Sequence, residues 1–113
     1  MATDIRAELK NCDVSAQKVR LVVDMVRGKT AVQALDQLQF VSKVAAFHVR
    51  KVVASAVANA EENFGVSRDE LYIYRITADE APTRKWRRFG ARGRFKPLLR
   101  RSSHITVVLR EKA

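Results

Sequence analysis

One 18-residue window, from Arg84 to Arg101, holds nine of the chain's 22 basic residues and no acid. It reads RKWRRFGARGRFKPLLRR. Seven of its cations are arginines, and few of its residues can build a core. Whatever body the chain folds into, this segment must lie outside it, because ionised side chains are rarely buried unpaired. The other 95 residues carry 13 basic and 12 acidic groups, so the formal charge of +10 belongs almost wholly to the window. A near-neutral body with one concentrated basic segment points to a polyanion partner touched by that segment.

The chain has 113 residues, the size of one domain. Its apolar fraction of 47% allows a modest core, and its 7% aromatic content makes that core largely Val, Ala, Leu and Ile. Cys12 is the only cysteine, which excludes an internal disulfide and fits a reducing compartment. No apolar run is long enough to span a bilayer, and MATDIRAELK has no apolar signal region, so a cytosolic protein is expected.

Periodicity divides the body into strands and helices. Residues 4 to 11 alternate, with Ile5, Ala7 and Leu9 on one side and Arg6, Glu8 and Lys10 on the other. Ser15 reads as the N-cap of a helix that ends before Gly28, with Val19, Val22, Val23 and Val26 as its core stripe. Thr30 and Gln33 fit a capping box, and the short helix behind them buries Ala31, Ala34, Leu35 and Leu38. Ser42 is expected to cap the longest helix, which runs to about Phe64 and stops at Gly65. Its apolar face is Ala45, Val49, Val52, Val53, Ala56 and Ala60, with a polar flank of His48, Lys51, Ser55, Asn59 and Glu62. Residues 66 to 70 form a polar connection. Leu71 to Glu80 reads as a strand through Ile73, Tyr74, Ile76 and Ala78, and Ser103 to Arg110 as another through Ile105, Val107 and Leu109.

The basic window joins these last two strands. The simplest connection is an arm, residues 81 to 102, built as a hairpin whose legs continue past the sheet and turn at Gly90 and Gly93. Legs of about ten residues would reach roughly 30 Å. A hairpin so charged and without a core needs a partner to order it.

The arm is the strongest chemical signal. Arg84, Lys85, Arg87, Arg88, Arg92, Arg94, Lys96, Arg100 and Arg101 can neutralise phosphates and release counterions. Trp86, Phe89 and Phe95 are interleaved with them, as surfaces on which unpaired bases stack. The first helix adds Lys18, Arg20, Arg27 and Lys29, which read equally well as a solvated face. Ser55 and Asn59 could hydrogen-bond ribose or phosphate, although such a stripe is more often a wet helix flank.

Enzymatic readings are weak. Cys12 has no nearby histidine in sequence, and His48 and His104 are too scattered to make a metal site with it. GARGR lacks the spacing of a phosphate loop. No catalytic group, cofactor or metal is expected. A free-standing RNA chaperone or general nucleic-acid-binding protein is the principal alternative. A membrane-surface protein is disfavoured, because Gly90, Gly93 and Pro97 oppose an amphipathic basic helix.

Four segments together resemble one family. SAQKVRLVVDMVRGKT (15–30), SAVANAEENFG (55–65), ADEAP followed by the arm with GARGR, and RRSSHITVVL (100–109) are similar, in this order, to the bacterial large-subunit ribosomal protein family L twenty-two. The resemblance implies an α+β fold: three helices packed on a small three-stranded antiparallel sheet, with a long basic β-hairpin arm. It implies an early-assembling protein whose body sits on large-subunit (23S-type) rRNA near the exit-tunnel opening. The arm would line the tunnel wall, with its tip associated with macrolide response and nascent-chain sensing. Implied partners are that rRNA, neighbouring large-subunit proteins and the nascent polypeptide, with no membrane and no small-molecule substrate. The implied place is the large subunit in the cytoplasm, with an organellar ribosome as the alternative.

On the family's motifs fall Ser15, Lys18, Arg20, Arg27, Gly28 and Lys29, then Ser55, Asn59 and Asn63, then Lys85, Ala91, Gly93, Arg94, Arg101 and His104. The tip facing the tunnel would be Phe89, Gly90, Ala91, Arg92 and Gly93. Ala81 replaces the family's usual Gly. Trp86, Phe89 and Gly90 stand where Arg, Pro and Arg are usual, and Phe95 where a small residue is. The arm is therefore bulkier and more aromatic than the family pattern, while Arg87, Arg88 and Arg92 keep its charge.

Overall fold

The computed structural model describes residues 4–82, 84–89 and 95–112, with 84–89 and 95–100 described by backbone alone. The elements are β1 (Ile5–Cys12), α1 (Ala16–Val26), α2 (Ala31–Gln39), α3 (Val44–Asn63), a 3₁₀ turn (Arg68–Glu70), β2 (Leu71–Glu80), β3 (Arg84–Phe89), β4 (Phe95–Arg100) and β5 (Ser103–Glu111). This is the expected α+β fold of three helices and a small antiparallel sheet with a basic hairpin.

The sheet has the order β1-β5-β2, so the last strand is the middle one. Ile5 faces Leu109 and Leu9 faces Ile105 on one side, while Ile73 faces Leu109 and Ala78 faces Ile105 on the other. The alternating positions Ile105, Val107 and Leu109 are fully buried. Across them lie Ile5, Ala7, Ile73, Ile76 and Ala78, giving the sheet one apolar face. The second strand does not alternate throughout. A bulge between Ile73 and Arg75 shifts its phase, so buried positions run Leu71, Ile73, then Ile76, Ala78. Tyr74, placed in the unbroken pattern by sequence, is exposed as a result.

The three helices cover that apolar face. The stripe Val19, Val22, Val23 and Val26 is fully buried, as 3.6-residue periodicity requires. From α3, Ala45, Val49, Val52, Val53, Ala56 and Ala60 are buried as expected, joined by Ala46 and Val57. The many alanines let this helix lie close to the strands. Leu35 of α2 is only partly buried, packed at the margin of the core.

The helix ends follow the sequence in part. The Thr30 hydroxyl accepts from Gln33 N–H at 3.3 Å, half of the expected box. Ser15 occupies the N-cap of α1, but its hydroxyl makes no capping bond. Ser42 is not the cap of α3; Lys43 is, and its side chain makes no capping bond either. Ser42, Lys43 and Val44 are all exposed, and the first buried residues are Ala45 and Ala46. An earlier start would therefore bury nothing, and a cap preference of about 1 kcal/mol does not decide the boundary. Gly28 (φ +80) and Gly65 (φ +65) end α1 and α3 in the left-handed region.

The hairpin grows out of the sheet. Glu80 pairs with Ser103, then Ala81 N–H donates to the Ser102 carbonyl at 3.0 Å, and the Ser102 hydroxyl donates to the Pro82 carbonyl at 3.3 Å. β3 and β4 then pair antiparallel from Arg84–Arg100 to Phe89–Phe95. The molecule measures 64 × 25 × 19 Å, with a radius of gyration of 17.1 Å. A compact domain of this length would have a radius near 13 Å. The expected turn at Gly90 and Gly93 lies outside the described residues.

Candidate nucleic-acid interface

The arm presents its cations by register. Arg84 is the Cα partner of Arg100, and Arg88 of Lys96, while Trp86 faces Leu98 and Phe89 faces Phe95. Like charges opposite each other on a ladder are destabilising. Backbone register makes Arg84/Arg100 and Arg88/Lys96 two such pairs in a six-residue ladder. Lys85 faces Leu99 and Arg87 faces Pro97 on the same ladder. The tip residues Gly90, Ala91, Arg92, Gly93 and Arg94 lie outside the described residues.

At the root, Arg101 is exposed and Ser103 is the buried polar residue of the core. The Ser103 hydroxyl donates to the Val14 carbonyl at 2.7 Å, which locks the start of β5 to the segment before α1. This brings Ser15 and Lys18 beside Arg101 around a shared concavity. His104 is half-buried, and its Nδ1 accepts from the Asn11 N–H at 3.1 Å. That bond holds the left-handed residue Asn11 (φ 56) at the end of β1 and occupies the Nδ1 edge of the imidazole.

The α1 cations divide into two kinds. Arg20 Nε donates to the Ala78 carbonyl and Arg27 Nη2 to the Ile76 carbonyl, both at 3.0 Å. Ile73 N–H donates to the Lys29 carbonyl at 2.9 Å. These bonds take up the Ile73 N–H and the Ile76 and Ala78 carbonyls on the outer side of β2, an edge strand of the sheet. Arg20 and Arg27 therefore cover a sheet edge that would otherwise be open to pairing, and Arg27 also pairs with Asp24 at 2.8 Å. Lys29 reaches the Gln37 side chain. Lys18 is exposed and makes no hydrogen bond among the described residues. On the polar flank of α3, Ser55 is exposed and Asn59 half-buried, and neither is joined to the α1 set by a hydrogen bond among the described residues.

Sequence reasoning missed an exposed apolar group at the start of α3. Phe40 is 83% exposed, Val44 69% and Phe47 48%. Lys51 Nζ lies 4.9 Å and the Arg50 guanidinium 5.9 Å from the Phe47 ring centroid, within cation–π range. The signal was present as Lys43, Phe47 and Lys51 at four-residue spacing, one exposed face of a helix.

Far from the arm, Arg110 stacks 3.4 Å over the Tyr74 ring and hydrogen-bonds Asp4. That bond, with the nearby Arg110 and Arg75 charges, holds the Asp4 carboxyl below the usual carboxylate range. Among the described residues no group of three or more His, Cys, Asp or Glu is placed to hold a metal ion. Cys12 is buried, and among the described residues no helix is long and apolar enough to cross a membrane.

Fold and charge layout thus define a small α+β protein with a basic hairpin arm. Comparison with known proteins makes the class specific. Residues 7–110 match the model of the family described as Ribosomal protein L22p/L17e. The large ribosomal subunit protein uL22 of Dehalococcoides mccartyi is 50% identical over 106 residues, covering 94% of this chain and 97% of that protein. The protein of the same name from Pediococcus pentosaceus is 44% identical over 110 residues, covering 97% and 93%. The chain belongs to the L22p/L17e family of ribosomal proteins, whose role is structural and not enzymatic.

Proposed function

We infer that the chain works as one domain, residues 1–113, as a structural constituent of the large ribosomal subunit, with the arm 81–102 inserted between β2 and β5. The body rests on 23S-type rRNA near the exit-tunnel opening, and the hairpin lines the tunnel wall. The tip, Phe89 to Gly93, faces the nascent polypeptide. Arg84, Lys85, Arg87, Arg88, Arg92, Arg94, Lys96, Arg100 and Arg101 contact phosphates of several RNA segments and hold them together early in assembly. Trp86 and the body residues Ser15, Lys18, Ser55, Asn59 and His104 add polar and stacking contacts. Neighbouring large-subunit proteins complete the surroundings, in the cytoplasm.

The observation that supports this most is the arm's register. Arg84 opposite Arg100 and Arg88 opposite Lys96 make a ladder that repels itself until anions surround it. Proteins 44–50% identical to this one are named for the large subunit, which supplies such an anion in folded RNA. Recognition would rest on RNA shape and unpaired bases, since side chains do not read the deep groove of A-form RNA.

The test is sucrose-gradient sedimentation of a cell lysate at low and high magnesium. One copy per large subunit is expected under conditions that keep subunits intact. Residence in the light fractions under both conditions would favour a free RNA chaperone.

A further inference from the structure

A groove of about 800 Å³ opens between the start of α1 and the start of α3, beside the root of the arm. Its wall includes Leu21, 56% exposed, and Val44, 69% exposed. Around that apolar wall stand Lys18, Lys43 and Arg101, against one carboxylate, Asp13. Arg101 is also the last cation of the basic window, so the groove continues the arm's positive track onto the body. Lys43 makes no side-chain hydrogen bond or ion pair among the described residues.

We propose that this groove takes one unstacked nucleotide of the bound RNA, its base against Leu21 and Val44 and its phosphate between Lys18, Lys43 and Arg101. The inference rests on the RNA-binding reading above and adds a defined contact of the body to it. The flat face of a base can bury apolar surface against Leu21 and Val44, and its phosphate takes the cations at the rim. An apolar protein segment would fit the wall but would leave three cations facing one carboxylate. The volume is in the range of roughly 300–1,000 Å³ usual for small-molecule sites.

The test uses the full chain and 23S-type rRNA. Ultraviolet cross-linking with peptide mapping should place nucleotide adducts within residues 14–21 or 43–45 as well as on the arm. Val44→Asp, which replaces part of the apolar wall by a carboxylate beside the phosphate, should weaken the Kd about tenfold, while arm adducts persist. Lys43→Glu, an exposed change that removes a cation and no core contact, is the second variant and should weaken binding in the same direction. An unchanged Kd in both variants overturns the proposal, as does a weaker Kd with every adduct confined to the arm. A lysine cross-link from Lys43 to another ribosomal protein, with no RNA adduct in the groove, also overturns it. If the unaltered chain fails to bind the rRNA, the ribosomal reading falls and this inference with it.

Discussion

Arg20 spans from α1 to β2, its Nε–H donated to the Ala78 carbonyl at 3.0 Å. Two turns along the same helix, Arg27 reaches Ile76 in the same manner. Both residues fall on a motif that sequence alone would assign to RNA, yet in the folded body they satisfy a sheet edge. Arg20→Ala and Arg27→Ala should each destabilise the isolated protein by about 1–2 kcal/mol, a fall in Tm of roughly 5–10 °C. Thermal melts of the free protein check this. A change in RNA affinity without any change in Tm would show the opposite division of labour.

The tip cations should behave differently. Arg92→Ala combined with Arg94→Ala should leave the Tm of the body unchanged. The double change should weaken rRNA binding and flatten the dependence of log Kd on log salt by about 0.7–0.9 per lost phosphate contact. Filter binding across a salt series measures both. Level affinity at low salt would remove these residues from the phosphate contacts.

Asp4 gives a pH prediction. Its carboxyl is held below the usual range chiefly by the Arg110 hydrogen bond. A lowered folded-state value stabilises the protein above the unfolded value of about 3.9, and that contribution disappears as pH falls through the folded value. The Tm of Asp4→Asn should therefore lie below that of the unaltered chain at pH 7, and the two should converge in acid. A gap that persists at the lowest accessible pH would detach the effect from ionisation. The pair is exposed, so the gap should be small.

Close approach of α3 to the sheet makes a fourth prediction. Ala56 is fully buried, and Ala58, two residues on, is exposed. Ala56→Leu should cost about 1–3 kcal/mol by overpacking, and Ala58→Leu should stay within about 0.5 kcal/mol of neutral. Denaturant melts of the two variants side by side provide the comparison.

Much of the body was legible because its periodicities are clean. The valine stripe of α1 and the Ile105-Val107-Leu109 strand needed no knowledge of their partners. The β2 bulge was also written in the chain, as a switch from odd to even apolar positions between Ile73 and Ile76, but Tyr74 masks it by resembling a strand residue. Ser42 misled because a capping side chain is a weak preference, overruled by where Ala45 and Ala46 must be buried. Among site residues, local pattern could not separate Arg20 and Arg27 from Lys18. All three are exposed cations on one helix, and only the distant edge of β2 distinguishes them. The groove beside Arg101 was illegible for the same reason: its walls come from α1, α3 and the root of the arm.

The placement of β5 between β1 and β2 also fixes the order of events during folding. Ile5 and its partner Leu109 stand near opposite ends of the chain. The sheet can have no middle until the last strand is available, so β1 waits for almost the entire chain. Such long-range closure is slow compared with the local formation of helices. The basic arm precedes β5 in the sequence. A chain broken after the arm would lose the central seam and not an edge, leaving two strands with no neighbour and the valine faces of its helices exposed. Such a fragment should be cleared by proteolysis, not incorporated into a particle.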